Sequence, residues 1–445
     1  MLRSPLGQLQ ASHPTLATSI QSVANQLHSA SSESRESRAL SSSMSPEQVA
    51  QDHRRLAKEY GELLTHARAL PGFEDFLRPI KVNRLLCAAQ NGPIVAINCH
   101  EDRCDALMII PNQTTVAHIP LPNFTGKKAR HARSQIEAPL RQRGLRERGI
   151  HIRREPGYKD EFGSVLANLW SDIVKPILDA LGYTVCPTEN LPHITWCPTG
   201  AISFLPLHAA GDYDQPQSRI FDYAISSYTP TPTALLASTP SILSCDSRVL
   251  AIGQEMTPGR KWLPGASTEL ASVKSHVEHK VRYSQLIDAQ ATPSTVLDAM
   301  EQHDWVHLAC HAHQNVYDAT KSGFFLHGGT LDLAEINRRS FKKKGLAFLS
   351  ACQTATGDET LPDEAVHLAS GMLMAGYSSV IATMWSVVDQ DAPFVADKVY
   401  GQLMEEGKLG NGEAGKALHN AVAGLRERVG EMEFARWVPY IHIGS

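Results

Sequence analysis

The sequence lacks the features that mark several common classes of protein. Its eight cysteines are scattered without paired spacing, which fits a reducing compartment better than a disulfide framework. It has no run near the ~20 consecutive apolar residues that a membrane span needs, and its first residues lack the apolar segment of a secretory signal. We therefore expect a cytoplasmic protein without a membrane partner.

Nucleotide-binding and charge signals are also missing. No Gly-rich phosphate loop, Walker motif or GxSxG sequence occurs, which argues against nucleotide and α/β-hydrolase chemistry. The net charge is only −4, and the ten Lys and Arg of residues 127–154 have no aromatic residues among them. This composition favours a solvated helical surface over a nucleic-acid patch, so we expect no nucleic-acid partner.

The chain changes character along its 445 residues. Residues 1–45 are rich in Ser, Ala and Gln, and such a segment buries too little apolar surface to offset its ordering entropy, so we predict a mostly disordered tail. Ser45-Pro46-Glu47 then supplies a helix start, and Pro71-Gly72 a stop. We predict a short helical arm over residues 46–80.

The next region, residues 81–246, is predicted to be an α/β half. Apolar runs at 93–98, 106–110 and 116–121 predict strands, the first two joined by a polar turn, and residues 161–181 predict a helix. Two more strand-like runs, 191–196 and 202–208, surround Pro198-Thr199-Gly200.

The last region, residues 247–445, alternates strands with helices, which indicates βαβ units and a mainly parallel sheet. Residues 324–333 resemble a hairpin with its turn at Gly328-Gly329. The predicted fold class is α/β: a mostly parallel sheet flanked by helices, preceded by the second α/β half and the helical arm.

Two apolar runs in this region, residues 305–312 and 345–352, each end in a side chain capable of catalysis. Reacting groups collect beyond the carboxyl ends of parallel strands, so His311 and Cys352 are predicted to meet there as base and nucleophile. The backbone N–H groups of Cys352 and Ala312 are the predicted oxyanion donors. The alternative is that Cys352 is only a small buried hydrophobe, as most cysteines at strand ends are.

A metal site is a second alternative. His307, His311 and His313 recur at the period of one strand face. No carboxylate or Cys stands at an informative spacing to complete a site, and Cys99-His100 with Cys104 lacks a second ligand pair. We expect no metal and no organic cofactor.

An ordered set of motifs points to a family. His307-x-x-x-His311-Ala312, Leu349-Ser350-Ala351-Cys352-Gln353-Thr354 and Thr383-Met384-Trp385-Ser386-Val387 resemble the CHAT domain of the caspase-like cysteine peptidases. The resemblance covers about residues 80–445 and extends to the fold of caspases, separases and gingipains. The interval from His311 to Cys352 is 352 − 311 = 41 residues, close to the roughly 50 typical of caspases. Members often carry tetratricopeptide repeats before the peptidase, which suits the helical arm.

The resemblance implies a cysteine endopeptidase of intracellular signalling or regulated proteolysis, with residues 247–445 as its peptidase half. It assigns the catalytic His to His311 and the nucleophile to Cys352, with a protein or peptide substrate and room for a regulatory protein partner. Many members have Gly where this chain has Ala312. The alternative function is a catalytically inactive CHAT module that acts as an interaction scaffold.

Three residues are candidates for the pocket that selects the substrate. The position two residues before the nucleophile, which often selects the substrate side chain in relatives, is the small neutral Ser350. A charged pocket would then need Asp389 or Asp391, which follow a buried strand. The alternative is that both aspartates cap the helix that begins near Pro393.

Overall fold

The computed structural model describes residues 6–32, 46–74, 76–78, 81–142, 161–187, 190–236, 241–315, 319–339, 341, 344–351, 368–409 and 411–445. The chain divides into two compact units, Met1–Val82 and Asn83–Ser445. Among the described residues, none of the helices combines the length and the apolar character needed to cross a membrane.

The first unit is helical, with α1 (Leu6–Ser12), α2 (Pro14–Ser32) and α3 (Pro46–Arg68). Residues 6–32 therefore differ from the predicted disordered tail, whereas residues 1–5 and 33–45 of that prediction lie outside the described residues. The reason is that apolar side chains recur at helical spacing among the serines, which an average over composition hides. They form a small core of Leu9, Ala17, Ile20, Ala67 and Phe76.

The second unit contains the remaining elements. The helices are α4 (Val82–Leu86), α5 (Gly126–Gln142), α6 (Glu161–Leu169), α7 (Lys175–Leu181), α8 (Pro232–Leu236), α9 (Gly265–Val277), α10 (Pro293–Gln302), α11 (Leu333–Arg338), α12 (Leu368–Ala375), α13 (Ala392–Glu406), α14 (Glu413–Val429) and α15 (Phe434–Trp437). The strands are β1 (Ile94–Cys99), β2 (Cys104–Ile109), β3 (Ala117–Leu121), β4 (His193–Pro198), β5 (Ile225–Tyr228), β6 (Ser241–Ile242), β7 (Arg248–Gly253), β8 (Arg282–Ile287), β9 (Trp305–Ala309), β10 (His311–His313), β11 (Gly323–Leu326), β12 (Gly329–Asp332), β13 (Lys344–Ser350), β14 (Tyr377–Thr383), β15 (Lys408–Leu409) and β16 (Tyr440–Gly444).

One sheet of eleven strands spans the second unit, in the order β3-β2-β1-β4-β5-β16-β14-β13-β9-β7-β8. Strands β1, β4, β5 and β16 run parallel to one another, and so do β14, β13, β9, β7 and β8. The two groups meet at the antiparallel pair β14 and β16. The predicted mostly parallel sheet flanked by helices is confirmed, and both predicted halves contribute strands to it.

One predicted strand does not form. The run at 202–208 makes two short 3₁₀ turns, Gly200–Phe204 and Leu207–Ala209. Gly200 enters the first turn with φ +63°, and a Cβ at this position would lie 2.9 Å from the carbonyl oxygen of Cys99. Backbone in this conformation leaves the extended path that a strand requires.

The basic surface of α5 is neutralised locally. Four of its cations lie beside carboxylates, which is a pattern typical of a salt-bridged helix surface. The pairs are Lys127–Asp102, Lys128–Asp172, Arg130–Glu101 and Arg133–Glu137.

Candidate active site

The candidate site lies where β9 and β13 end. These neighbouring strands are parallel, with Ala309 opposite Ser350, and their residues are buried throughout. Continuous apolar runs form such strands because both faces of a central parallel sheet are covered by helices. The two carboxyl ends therefore reach the same edge of the sheet, as the sequence predicts.

His311 is the first residue beyond the bend that follows β9. It begins β10, which pairs with β11 in a separate three-stranded sheet, and its side chain is nearly buried, with only 3% of the residue exposed. Its Nε2 atom lies 2.8 Å from the carbonyl oxygen of Lys261. A carbonyl only accepts hydrogen bonds, so this contact assigns the ring hydrogen to Nε2 and makes Nδ1 the basic nitrogen of the neutral ring.

The segment that presents Lys261 connects β7 to α9 and is anchored at both ends. At its start, the N–H of Gln254 donates to the Ala309 carbonyl at 3.0 Å. At its end, Leu263 is fully buried and the N–H of Gly265 donates to Asp389 Oδ2 at 2.7 Å. The carbonyl that orients His311 thus belongs to a firmly held loop.

Cys352, the predicted nucleophile, lies outside the described residues. The residue bonded to it, Ala351, is described, and the Thr383 hydroxyl donates to the Ala351 carbonyl at 2.6 Å. Thr383 is the last residue of β14, the next strand of the sheet. The backbone entering position 352 is therefore held from the side by a neighbouring strand.

The other predicted site residues occupy distinct positions. Ser350 is the last residue of β13 and is buried, at 1% exposure. Ala312 lies in β10 opposite Phe324. The predicted roles of Ser350 in the substrate pocket, and of the Ala312 N–H as an oxyanion donor, stay predictions.

The two aspartates serve different partners. Asp389, which is 7% exposed, accepts the N–H of Gly265 at the start of α9. Gly265 has to lack a side chain here, because a Cβ would lie 2.4 Å from the Asp389 carbonyl oxygen. Asp391 places both carboxylate oxygens on the Arg436 guanidinium, at 2.8 and 2.5 Å, and its side chain makes no capping bond to α13. Asp391 therefore occupies the N-cap position of α13, as the alternative predicts, but without a capping bond from its side chain, whereas the contact of Asp389 is with the start of α9.

The bend at Cys310 separates His307, in β9, from the other two histidines of the metal hypothesis, His311 and His313, which both lie in β10. His307 is fully buried in β9, with its Nε2 atom 3.1 Å from Glu269 Oε1 on α9. His313 stacks on Phe325, with 4.8 Å between ring centroids. Burial, together with the nearby Arg260 cation, lowers the pKa of His313. Within the described part of the chain, no group of His, Cys, Asp and Glu side chains is arranged to hold a metal ion.

Two residues that contact the histidines of this region were not predicted from the sequence. Lys261 acts through its backbone carbonyl, which no side-chain pattern reveals. Glu269 is a fully buried carboxylate one helical turn into α9. The only signal for it was an acidic residue on the inward face of that helix, which is unusual because an unpaired buried charge is costly.

The CHAT domain family model matches residues 164–445, so the chain belongs to the CHAT domain family. The match begins later than the resemblance found in the sequence. No curated protein matches the chain. Its fold is similar to that of Saccharomyces cerevisiae separase, crystallised in complex with securin, with a TM-score of 0.50 and 10% identity over 87% of this chain.

This chain spans about a third of the separase chain, since the match covers 32% of it. The Arg-specific cysteine proteinase gingipain R aligns with a TM-score of 0.42 and 12% identity, over 62% of this chain and 68% of its own. The family and the separase likeness confirm a caspase-like peptidase fold.

Proposed function

We propose that this chain is a cysteine endopeptidase that hydrolyses peptide bonds through an acyl-enzyme. In this mechanism His311 takes the proton of Cys352, and the thiolate attacks a peptide carbonyl. The contact between His311 Nε2 and the Lys261 carbonyl carries the proposal, because it leaves Nδ1 as the nitrogen that accepts a proton. Membership of the CHAT family supports the same assignment.

The register of the sheet supports the pairing. Ala309 and Ser350 are partners on neighbouring strands, and His311 and Cys352 each stand two residues further along the chain. Neighbouring strands lie about 4.8 Å apart, so the strand ends that lead into His311 and Cys352 start close together. The Thr383 bond to Ala351 would steady the nucleophile, and the N–H groups of Cys352 and Ala312 would bind the oxyanion.

The proposed substrate is a protein or peptide, and Asp389 is the better of the two acidic candidates for its selection. Asp391 has both carboxylate oxygens on the Arg436 cation and so already forms an ion pair, whereas Asp389 accepts the neutral N–H of Gly265. We propose that Asp389 favours Arg or Lys at the cleaved position, because a carboxylate in a partly desolvated pocket attracts a cation. We further propose a regulated cytoplasmic enzyme, in which binding of a protein partner opens the cleft and exposes the buried His311.

The test is covalent labelling of the full chain with a peptidyl electrophile that reacts with catalytic thiolates. Wild-type protein should be labelled at Cys352, and Cys352→Ala and His311→Ala should not. Cys310→Ala is the matched control, because Cys310 is the thiol adjacent to His311 and is fully buried. Labelling that survives in Cys352→Ala, or that is lost in Cys310→Ala with the fold intact, contradicts the dyad.

A non-catalytic scaffold is the second candidate, and the 3% exposure of His311 favours it. In a scaffold the cleft stays closed and His311 serves only to tie β10 to the Lys261 loop. The same labelling experiment separates the two functions. A scaffold would remain unlabelled even in the presence of a binding partner, and His311→Ala would loosen the Lys261 loop and leave the absence of labelling unchanged.

A further inference from the structure

The turn between β1 and β2 brings two cysteines together. Cys99 ends β1, Cys104 begins β2, and the two are direct register partners. The Cys104 thiol donates to the sulfur of Cys99 with 3.1 Å between the two sulfur atoms. Both cysteines are reduced in the structure.

The backbone geometry suits a covalent bond. The N–H of Cys99 points away from β2 and donates to the Thr199 hydroxyl at 3.2 Å. The next pair along the hairpin, His100 and Arg103, is joined by a backbone bond of 3.0 Å. Bonded and non-bonded pairs alternate along an antiparallel ladder, so Cys99 and Cys104 form a non-bonded pair, whose Cα atoms lie about 4.5 Å apart. This separation falls within the roughly 4.4–6.8 Å that a disulfide requires.

The two thiols differ in accessibility. Cys104 is buried, at 2% exposure, whereas Cys99 is partly exposed. The contact with Cys99, followed by burial, raises the pKa of the Cys104 thiol, which makes Cys104 a poor first nucleophile. Cys99 is therefore the sulfur that meets a dissolved oxidant, and Cys104 is the one placed to complete the reaction.

We propose that Cys99 and Cys104 are a redox-sensitive pair that closes to a disulfide when a small-molecule disulfide such as glutathione disulfide is present. The Cys99 thiolate attacks one sulfur of glutathione disulfide, which gives a mixed disulfide and releases one glutathione thiolate. Cys104 then loses its proton to solvent and attacks the sulfur of Cys99, which releases the second glutathione. Two protein thiols are oxidised to one disulfide, and glutathione disulfide is reduced to two thiols.

The bond would stiffen a turn that already has several contacts. The carbonyl of His100 accepts the N–H of Gly126 at 2.8 Å, and Glu101 and Asp102 pair with cations of α5. The closed ring contains few residues, so its effect on the unfolded chain is small and we expect little change in global stability. The inference does not depend on the proposed peptidase activity.

Peptide mapping of the full chain tests the proposal. The protein is incubated with glutathione disulfide, remaining thiols are alkylated, and trypsin is added, which cuts after Arg103 and leaves the two cysteines on separate peptides. The Cys99 peptide also contains Cys87, so the experiment uses a Cys87→Ser background. We expect the two peptides to be joined by a disulfide, with the loss of two hydrogen atoms, and to separate on reduction.

Cys104→Ser is the matched variant. Cys245, an exposed thiol in the turn that follows β6, is the internal reference for glutathione attachment. In Cys104→Ser, Cys99 should carry glutathione, because no second thiol displaces it. If Cys104→Ser fails to fold, Cys99→Ser serves instead and should leave Cys104 alkylated. The proposal is overturned if Cys99 and Cys104 are both alkylated under conditions that attach glutathione to Cys245, or if Cys99 keeps glutathione while Cys104 is present.

Discussion

His442 and His311 belong to neighbouring parts of one unit and are almost fully buried, at 1% and 3% exposure, but their ring nitrogens have different partners. His442 contacts the hydroxyl of Ser227 through Nδ1 and that of Ser379 through Nε2, both at 2.6 Å. His311 contacts the Lys261 carbonyl through Nε2.

The two histidines differ in whether their hydrogen-bond partners fix the tautomer of the ring. A hydroxyl donates or accepts, so the two serines accommodate either tautomer of His442. A carbonyl only accepts, so Lys261 fixes the tautomer of His311. A buried histidine bonded by hydroxyls on both sides thus holds strands together. One bonded to a carbonyl has a defined basic nitrogen, which can accept a proton in catalysis.

The largest expected effect is the loss of activity when His311 is replaced. We expect His311→Ala to lower peptidase or labelling activity by at least about 100-fold, because a positioned acid–base contributes this much to the rate. The unfolding midpoint should also fall, because His311 is almost fully buried and contacts the Lys261 carbonyl, so activity is compared at a temperature at which circular dichroism shows both proteins to be folded. Retained activity in the folded variant would place the base elsewhere, and His442→Ala, compared in the same way, should keep its activity.

The second prediction concerns His442. Replacing it with Ala removes the bonds to Ser227 and Ser379 and leaves a cavity between β5 and β14, so we expect a loss of about 2–4 kcal/mol in the free energy of unfolding. Urea unfolding measures this loss. Ser379→Ala, which removes one of the two bonds, should cost less. An effect of Ser379→Ala equal to that of His442→Ala would mean that the hydroxyl chain does not act as described.

The third prediction uses pH. Burial, with a smaller effect of His193, lowers the pKa of His442 to about 3. An unfolded histidine has a pKa near 6.5, so below that pH the unfolded chain takes up a proton that the folded protein refuses. Stability should therefore fall as pH drops from 8 to 5, with His442 contributing about 2 kcal/mol of the fall.

The matched measurement compares the wild type with His442→Asn by urea unfolding at both pH values. Carboxylates affect the two proteins alike, so the difference between their slopes isolates His442. We expect the variant to lose less stability between pH 8 and pH 5 than the wild type. Identical slopes would show that His442 takes up its proton equally in the folded and unfolded chain.

The smallest expected effect concerns Asp389, and it tests whether this carboxylate, which accepts the Gly265 N–H, also selects the substrate side chain. We expect Asp389→Asn to reduce a preference for Arg or Lys at the cleaved position by about tenfold, a change worth about 1.4 kcal/mol. A positional-scanning peptide library measures the preference. Asp391→Asn is the control: it should weaken the Arg436 contact and the stability, and leave the preference unchanged. A preference for acidic or large apolar residues that neither variant changes would remove Asp389 from the pocket.

The local sequence pattern was sufficient to predict many of the helices and strands. The apolar runs that predict β9 and β13 form those strands. Thr292-Pro293, a residue pair typical of helix starts, begins α10, with the Thr292 hydroxyl accepting the N–H of Thr295. The helices over residues 6–32 were missed because the Ser-rich average composition conceals apolar residues at helical spacing, which pack on Ala67 and Phe76.

The sequence by itself determined which residues end the central strands, because burial on both faces demands continuous apolar runs and chemistry-bearing side chains can follow only where those runs stop. Tertiary structure alone decided the rest of the site. In the folded chain β14 and β16 run antiparallel, the Lys261 carbonyl contacts His311 from 50 residues away, and Asp391 accepts hydrogen bonds from Arg436. These contacts use backbone atoms or pair residues distant in the chain, and neither kind leaves a local pattern in the sequence.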